Sequence, residues 1–315
     1  MTHTVFARPG ELQAALDALP TDGQEAIVRL AEGVYREKIV LARPRTTLEG
    51  QGAGRTKIVW NDAARTILED GLKRGTFRTA TLRTDGEGIT LSGLTVENSA
   101  GPVEEAGQAI ALYADGDGLR CEDCALIGRQ DTLFTAPLPD KEFELGGFRG
   151  PKENAPRIPQ RQHYLRCRIE GYVDFVFGGA AALFEDCEIA AVDGRADRST
   201  PPTLWVAAPS TPISQTIGYV FYHCRFTDAP DLPPGCVFIA RPWRTGARLT
   251  LIDCDLDPAF RPARFDSWGD RTGIWSMTGS GSVSDGVHAL SPDQATAELS
   301  LLQAFFRTGT QIALR

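Results

Sequence analysis

EDCALIG (122–128), LRCRIEG (165–171), EDCEIAA (185–191), YHCRFTD (222–228) and IDCDLDP (252–258) share one local pattern. In each, a cysteine (Cys124, Cys167, Cys187, Cys224, Cys254) stands two residues before Leu, Ile or Phe and follows a short run of alternating apolar residues. ITLSGLTVEN (89–98) is an earlier copy with Leu94 in the cysteine's place, and TTLEGQG (46–52) is a candidate for another. Successive cysteines lie 43, 20, 37 and 30 residues apart. Period-two alternation marks strands with two distinct faces. A strand that returns after about twenty residues plus variable excursions points to a coiled parallel sheet, in which equivalent side chains stack from turn to turn. Cysteine suits such a ladder because it is small and apolar. The excursions become loops, where binding surfaces are usually built. A β-sandwich would explain the strands but not why the same context keeps returning. The predicted class is all-β, a single-stranded right-handed parallel β-helix.

Short helices are expected at both ends. GELQAALDAL (10–19) spaces Leu12, Ala15, Leu16 and Leu19 as one helical face and is expected to cover the first turn. Ser291-Pro292-Asp293 is a helix start, with Ser as N-cap and Pro in the first turn, and LSLLQAFF (299–306) adds an apolar stripe. A solenoid needs its open ends covered, so these helices are read as caps. No linker divides the chain, and residues 1–315 read as one domain.

Composition narrows the function. With 42% hydrophobic and 23% charged residues the chain is an ordinary globular protein, and no apolar run is long enough to span a bilayer. MTHTVFARPGELQAALDALP lacks a basic stretch followed by an apolar one; if Met1 is the native start, a cytoplasmic location is expected. A formal net charge of −8 argues against nucleic acid and against a strongly anionic polymer in a basic groove, so a neutral or partly neutralised substrate is expected. Cys121 and Cys124 form a C-x-x-C with no second pair to follow, and His3, His163, His223 and His288 are scattered. The cysteines therefore read as buried hydrophobes rather than metal ligands.

Two aspartates stand out against this frame. GRQDTLF (128–134) and GYVDFVFG (171–178) set Asp131 and Asp174 among glycine, β-formers and aromatics. A lone carboxylate is costly to bury, so such residues are paired, hydrogen-bonded or functional. Each lies seven residues after a ladder cysteine, Cys124 and Cys167. If residues 135–162 loop out, the two turns become neighbours and the carboxylates face each other at about 5 Å, the spacing of adjacent strands. One of two such carboxyls must then hold its proton. The competing reading is a pair of turn aspartates bonded to local backbone.

GRQDTLF, GYVDFVFG, ARPW (240–243) and GQAIAL (107–112) resemble the signature segments of the pectin methylesterases, carbohydrate esterase family 8. Weaker similarity runs through LAEGVYREKIVL (30–41), GTFRTATLRTDGEGITLSGLTVENSAG (75–101) and FDSWGD (265–270). The resemblance implies a right-handed parallel β-helix and hydrolysis of galacturonate methyl esters in pectin or methylated oligogalacturonides. It implies Asp174 as nucleophile and Asp131 as general acid, then base. Gln108 and Gln130 match the amides that hold the oxyanion, and Arg241 matches the partner of the nucleophile. Trp243, Phe134 and Phe177 match aromatics lining the sugar groove. No metal or organic cofactor is expected, and the chain is expected to act as a monomer.

Three features depart from the family's commoner pattern: the long stretch 135–162, Arg129 in place of an aromatic, and Ala240 in place of glycine. The stretch is rich in Gly, Pro and charge, which suits a loop that narrows the cleft and favours short oligosaccharides. A pectate lyase or polygalacturonase, or a non-catalytic sugar-binding β-helix, is the alternative. A G-x-S-x-G elbow is missing, which disfavours a Ser-His-Asp esterase.

Overall fold

The computed structural model describes residues 2–278 and 287–308, with side chains up to residue 304. Among them the chain coils through three sheets of eleven, seven and eight strands, and every pairing between strands is parallel. The central turns each lay one strand on each sheet, while the terminal ones add strands to the eleven-stranded sheet alone. In one turn Leu119–Glu122 joins the eleven-stranded sheet, Ala125–Ile127 the eight-stranded sheet and Leu133–Thr135 the seven-stranded sheet. Parallel pairing throughout excludes a sandwich of hairpin-linked strands.

The repeated cysteines form the expected ladder. The backbone N–H after each cysteine donates to the carbonyl of the one before: Ala125 to Leu94, Arg168 to Cys124, Glu188 to Cys167, Arg225 to Cys187 and Asp255 to Cys224. The residue before each rung turns the chain between two sheets with a left-handed backbone. These are Gly93, Asp123, Arg166, Asp186, His223 and Asp253, with φ between 49° and 61°. Side chains at such a bend cost backbone strain, which the surrounding ladder offsets. Further inside, Tyr164, Phe184 and Phe221 stack with centroids 4.8 and 4.4 Å apart.

The two terminal helices behave differently. Leu12–Asp17 is shorter than the sequence suggested, but Leu12 and Leu16 are buried against the first turns and plug that end. Its free backbone N–H groups at Leu12 and Gln13 donate to the Glu37 carboxylate. The C-terminal helix, Pro292–Thr308, begins where expected, with the Ser291 hydroxyl accepting from the Gln294 N–H. It does not close the open end, however. Ala295, Leu299 and Leu302 pack on Leu183, Val220 and Ile252, which face outward from the eleven-stranded sheet. That outer face carries an apolar patch, and burying it stabilises the helix there. Phe305 and Phe306 of the predicted stripe lie outside the described side chains.

Candidate active site

The seven-stranded sheet carries the candidate site at the entry to its strands. Leu133–Thr135 pairs with Val173–Gly178 in the register Leu133↔Val176, Phe134↔Phe177 and Thr135↔Gly178. That offset of 43 residues also relates Asp131 to Asp174. Residues 136–160 leave the coil entirely, so turns far apart in sequence become neighbours. The Asp131 N–H donates to the Val173 carbonyl at 3.1 Å, and the Asp131 carboxyl senses the charge of Asp174.

Both aspartates have a left-handed backbone, φ 65° at Asp131 and 49° at Asp174. The glycines three residues earlier make this turn possible. A Cβ on Gly128 would lie 2.6 Å from Thr132 Oγ1, and one on Gly171 would lie 2.2 Å from Phe175 Cβ. Between Val173↔Trp205 and Val176↔Ala207 the Asp174 strand has one residue more than its neighbour. Such a bulge re-aims a side chain at a functional surface.

Arg241 follows the strand Val237–Ala240, two strands away from that of Asp174. Its guanidinium crosses the intervening strand, Leu204–Pro209, lying 4.0 Å from the ring centre of Trp205. It reaches Asp174 with both prongs, Nε to Oδ1 at 2.9 Å and Nη2 to Oδ2 at 2.6 Å. Trp268 supports the same guanidinium at 4.1 Å, and Asp266 fixes Trp205 by accepting from its indole N–H at 2.9 Å. Planar guanidinium is suited to this combination of bidentate pairing and aromatic stacking.

Burial pushes the Asp131 carboxyl well above the usual carboxylate range, and the charge of Asp174 pushes it further; Arg241 opposes both. Burial also raises Asp174, but there the bonded guanidinium opposes it directly. The two environments therefore differ: burial and a neighbouring charge favour the protonated form of Asp131, whereas the bonded guanidinium favours the charged form of Asp174 against its burial.

Gln108 and Gln130 line the same cavity of about 740 Å³. Backbone bonding places them one turn apart, with the Ala109 N–H donating to the Gln130 carbonyl. Among the described residues neither side-chain amide has a protein partner, so both can donate into the cavity. Trp243 and Phe177 also line it. Phe134 does not. It is fully buried beneath Phe77, Tyr113 and Phe177, with centroids 5.1, 4.7 and 4.9 Å away, and presents no surface to a sugar. Its strand position faces outward, but the chain around Phe77 covers it.

The excursion forms one wall of the cavity. Phe148 packs against Phe77 and Trp243, and the Lys152 ammonium lies 3.4 Å from Asp85 and 3.2 Å from Asp115 on adjacent turns. The Arg157 guanidinium ties the segment to itself through the carbonyls of Pro139, Glu153 and Ala155. The lining is basic despite the chain's negative charge: Arg65, Lys73, Arg78, Arg149 and Arg244 join Arg241 there. Net charge did not foretell the field inside the cleft. Trp205, Trp268 and Asp266 are site residues that the sequence reading left without a role. FDSWGD held two of them, and their stacking on Arg241 had no local signal.

Comparison with known proteins gives the family from sequence and the fold from solved structures. The chain is 30% identical over 293 residues to the probable pectinesterase/pectinesterase inhibitor 64 of Arabidopsis thaliana, covering 86% of this chain and 44% of that protein. The chain thus spans less than half the length of this curated relative. The fold matches the pectin methylesterase of Erwinia chrysanthemi, with TM-score 0.77 and 22% identity over 99% of this chain and 98% of that one. It also matches that of Yersinia enterocolitica, with TM-score 0.76 and 24% identity over 96% and 100%. A pectin methylesterase variant solved in complex with a hexasaccharide aligns with TM-score 0.76 and 22% identity over 94% and 96%. The Pectinesterase family model matches residues 8–139 and 156–287, leaving out only part of the excursion between them, and the chain belongs to the pectinesterase family.

Proposed function

We propose that this protein hydrolyses the methyl esters of galacturonate residues in methylated oligogalacturonides or pectin and releases methanol. The observation that carries the reading is the unlike pair: Asp174 clamped by Arg241 in a cavity that also holds Asp131 and two uncommitted glutamine amides. An Asp174 carboxylate oxygen attacks the ester carbonyl. The oxyanion accepts hydrogen bonds from the amides of Gln108 and Gln130, which donate without adding charge that would disturb the pair. The C–O bond to the methoxy group breaks as Asp131 delivers its proton, and methanol departs. Asp131, now a carboxylate, takes a proton from water; the resulting hydroxide attacks the acyl-enzyme, Asp174 leaves, and galacturonate is freed. Trp243 offers an apolar face to the sugar, with the buried Phe177 ring packed against it at 5.7 Å between ring centres. The hexasaccharide bound to the related esterase supports an oligosaccharide ligand here.

The excursion favours short substrates, because its residues 143–149 wall the cavity and its own side chains hold it in place. Methanol release is to be measured on methylated oligogalacturonides and on long pectin, with chain length followed alongside. The reading expects methanol without chain shortening or an unsaturated product, faster on the oligomers. Chain cleavage without methanol would contradict the esterase, and a clear preference for long pectin would contradict the size selection.

A further inference from the structure

Trp205 stands beside the candidate nucleophile yet outside the cavity. Its strand pairs with that of Asp174 in the register Val173↔Trp205, directly before the bulge. Arg241 and Trp268 line the cavity, whereas Trp205 is not among its lining residues. What Trp205 does meet is Arg241, whose Cζ lies 4.0 Å from its ring centre and 4.1 Å from that of Trp268. With Nε and Nη2 committed to Asp174, two indoles and a carboxylate close on one guanidinium.

The segment that brings Trp268 also holds Trp205. The Asp266 N–H donates to the carbonyl of Ala240, the residue before Arg241, at 2.9 Å, and Ala240 bridges to Phe265. Phe265 stacks on Trp275 with centroids 4.9 Å and planes 5° apart, which roots the segment on the core. From there the Asp266 carboxylate accepts from the Trp205 indole N–H at 2.9 Å and from the Ser267 backbone N–H at 2.8 Å. Trp205 also stacks on Phe238, with centroids 6.1 Å and planes 9° apart. Apolar cover alone would need neither the indole bond nor the near-parallel stack; a branched aliphatic side chain would serve. A long arginine side chain has many rotamers, and few of them lay both prongs on one carboxylate. A ring fixed by hydrogen bond and stacking selects among them.

We propose that Trp205, anchored by Asp266, is a positioning residue that fixes the Arg241 guanidinium and through it the orientation of Asp174. This rests on the esterase reading above and adds to it a support for the nucleophile that does not touch the substrate. Among the described residues, the charged groups facing Asp174 are Arg241 and, from the preceding turn, Asp131. Burial raises the Asp174 carboxyl and the Arg241 bond opposes that rise. A guanidinium free to swing opposes it less, so Asp174 then needs a higher pH to ionise.

The test compares the wild type with Trp205→Leu, Asp266→Leu and Asp266→Asn through two independent readouts. One is methanol release from a methylated oligogalacturonide across pH; the other is NMR titration of Asp174 in protein labelled with ¹³C at the aspartate carboxyls. Trp205→Leu is expected to lower kcat by about 10- to 100-fold with KM within about twofold. The Asp174 titration and the acid limb of kcat/KM are expected to move up together, by about one pH unit. Asp266→Leu is expected to change both readouts in the same direction, and Asp266→Asn, which keeps an oxygen for the indole N–H, to restore most of the wild-type behaviour. An Asp174 titration that stays in place in Trp205→Leu would overturn the positioning role, whatever the rate does. A rise in KM alone would make Trp205 a sugar-binding ring and overturn it as well. No methanol from the wild type would overturn the esterase reading, while the titration would still decide whether Trp205 positions the pair. If Trp205→Leu fails to fold, the two Asp266 variants carry both readouts.

Discussion

Asp123 and Asp174 share a backbone posture, and each has an arginine for a partner. Their φ angles are 54° and 49°, and each is gripped through Nε and Nη2 of an arginine. The Arg166 contacts to Asp123 are both 2.8 Å, close to those of Arg241 on Asp174. The Asp123 side chain is 54% exposed, whereas that of Asp174 is 9% exposed. The Arg166 bond holds the Asp123 carboxyl below the usual range, while burial raises that of Asp174 in spite of its bond. Ion-pair geometry alone therefore does not set the chemistry. Water screens the first pair, and its contribution to stability is small. The second is desolvated, with burial and a bonded guanidinium opposing each other at one carboxylate, which suits a reactive group.

Substitution separates the two corners most sharply. Asp174→Asn is expected to lower methanol release by on the order of 10⁴-fold, since it removes the nucleophile. Asp123→Asn, on the same backbone posture, is expected to leave the rate within about twofold, as surface changes usually do. Comparable losses in the two variants would break the contrast. A smaller effect sharpens it within the cavity: Gln130→Ala should cost about 10²–10³ in kcat with KM little changed, the size of one oxyanion donor. A change in KM alone would assign the amide to ground-state binding.

Arg241→Gln tests what the guanidinium does for the buried carboxylate. Asp174 must be ionised to attack, and Arg241 opposes the rise that burial causes. Without it the folded-state value climbs, so the acid limb of the kcat/KM profile should move up by about one to three pH units. An unmoved limb would mean that burial and the guanidinium are not in competition. The gentlest test concerns stability. Asp131 has a folded value well above its ordinary 3.8, so its penalty is absent below that pH and grows as pH rises, because the unfolded chain ionises first. Asp131→Asn is therefore expected to raise Tm at pH 7 and to leave it unchanged near pH 3. A variant equally stabilised at both would place the gain elsewhere.

Much of this was legible because the solenoid repeats its local chemistry. The cysteine rungs announce the turns, and the shared spacing from cysteine to aspartate places Asp131 and Asp174 on one corner. The supports of Arg241 were not legible: Trp205 and Trp268 meet it only after the coil has stacked and the chain near residue 268 has folded back. Phe134 misled for a related reason. The resemblance put it in the sugar groove, and its strand position does face away from the central core, but Phe77 and Phe148 build a second apolar layer there. The C-terminal helix shows the same limit. Its start was written locally in Ser291 and Pro292, while its docking site depended on which face of the sheet was left apolar.

Protonation of the two buried aspartates is the most direct point of attack. In protein labelled with ¹³C at the aspartate carboxyls, NMR titration with Asp131→Asn for assignment would follow each group separately. The account predicts that Asp131 still holds its proton at neutral pH while Asp174 is ionised. A carboxyl at Asp131 that titrates like the exposed Asp123, with no sensitivity to Asp174, would contradict it.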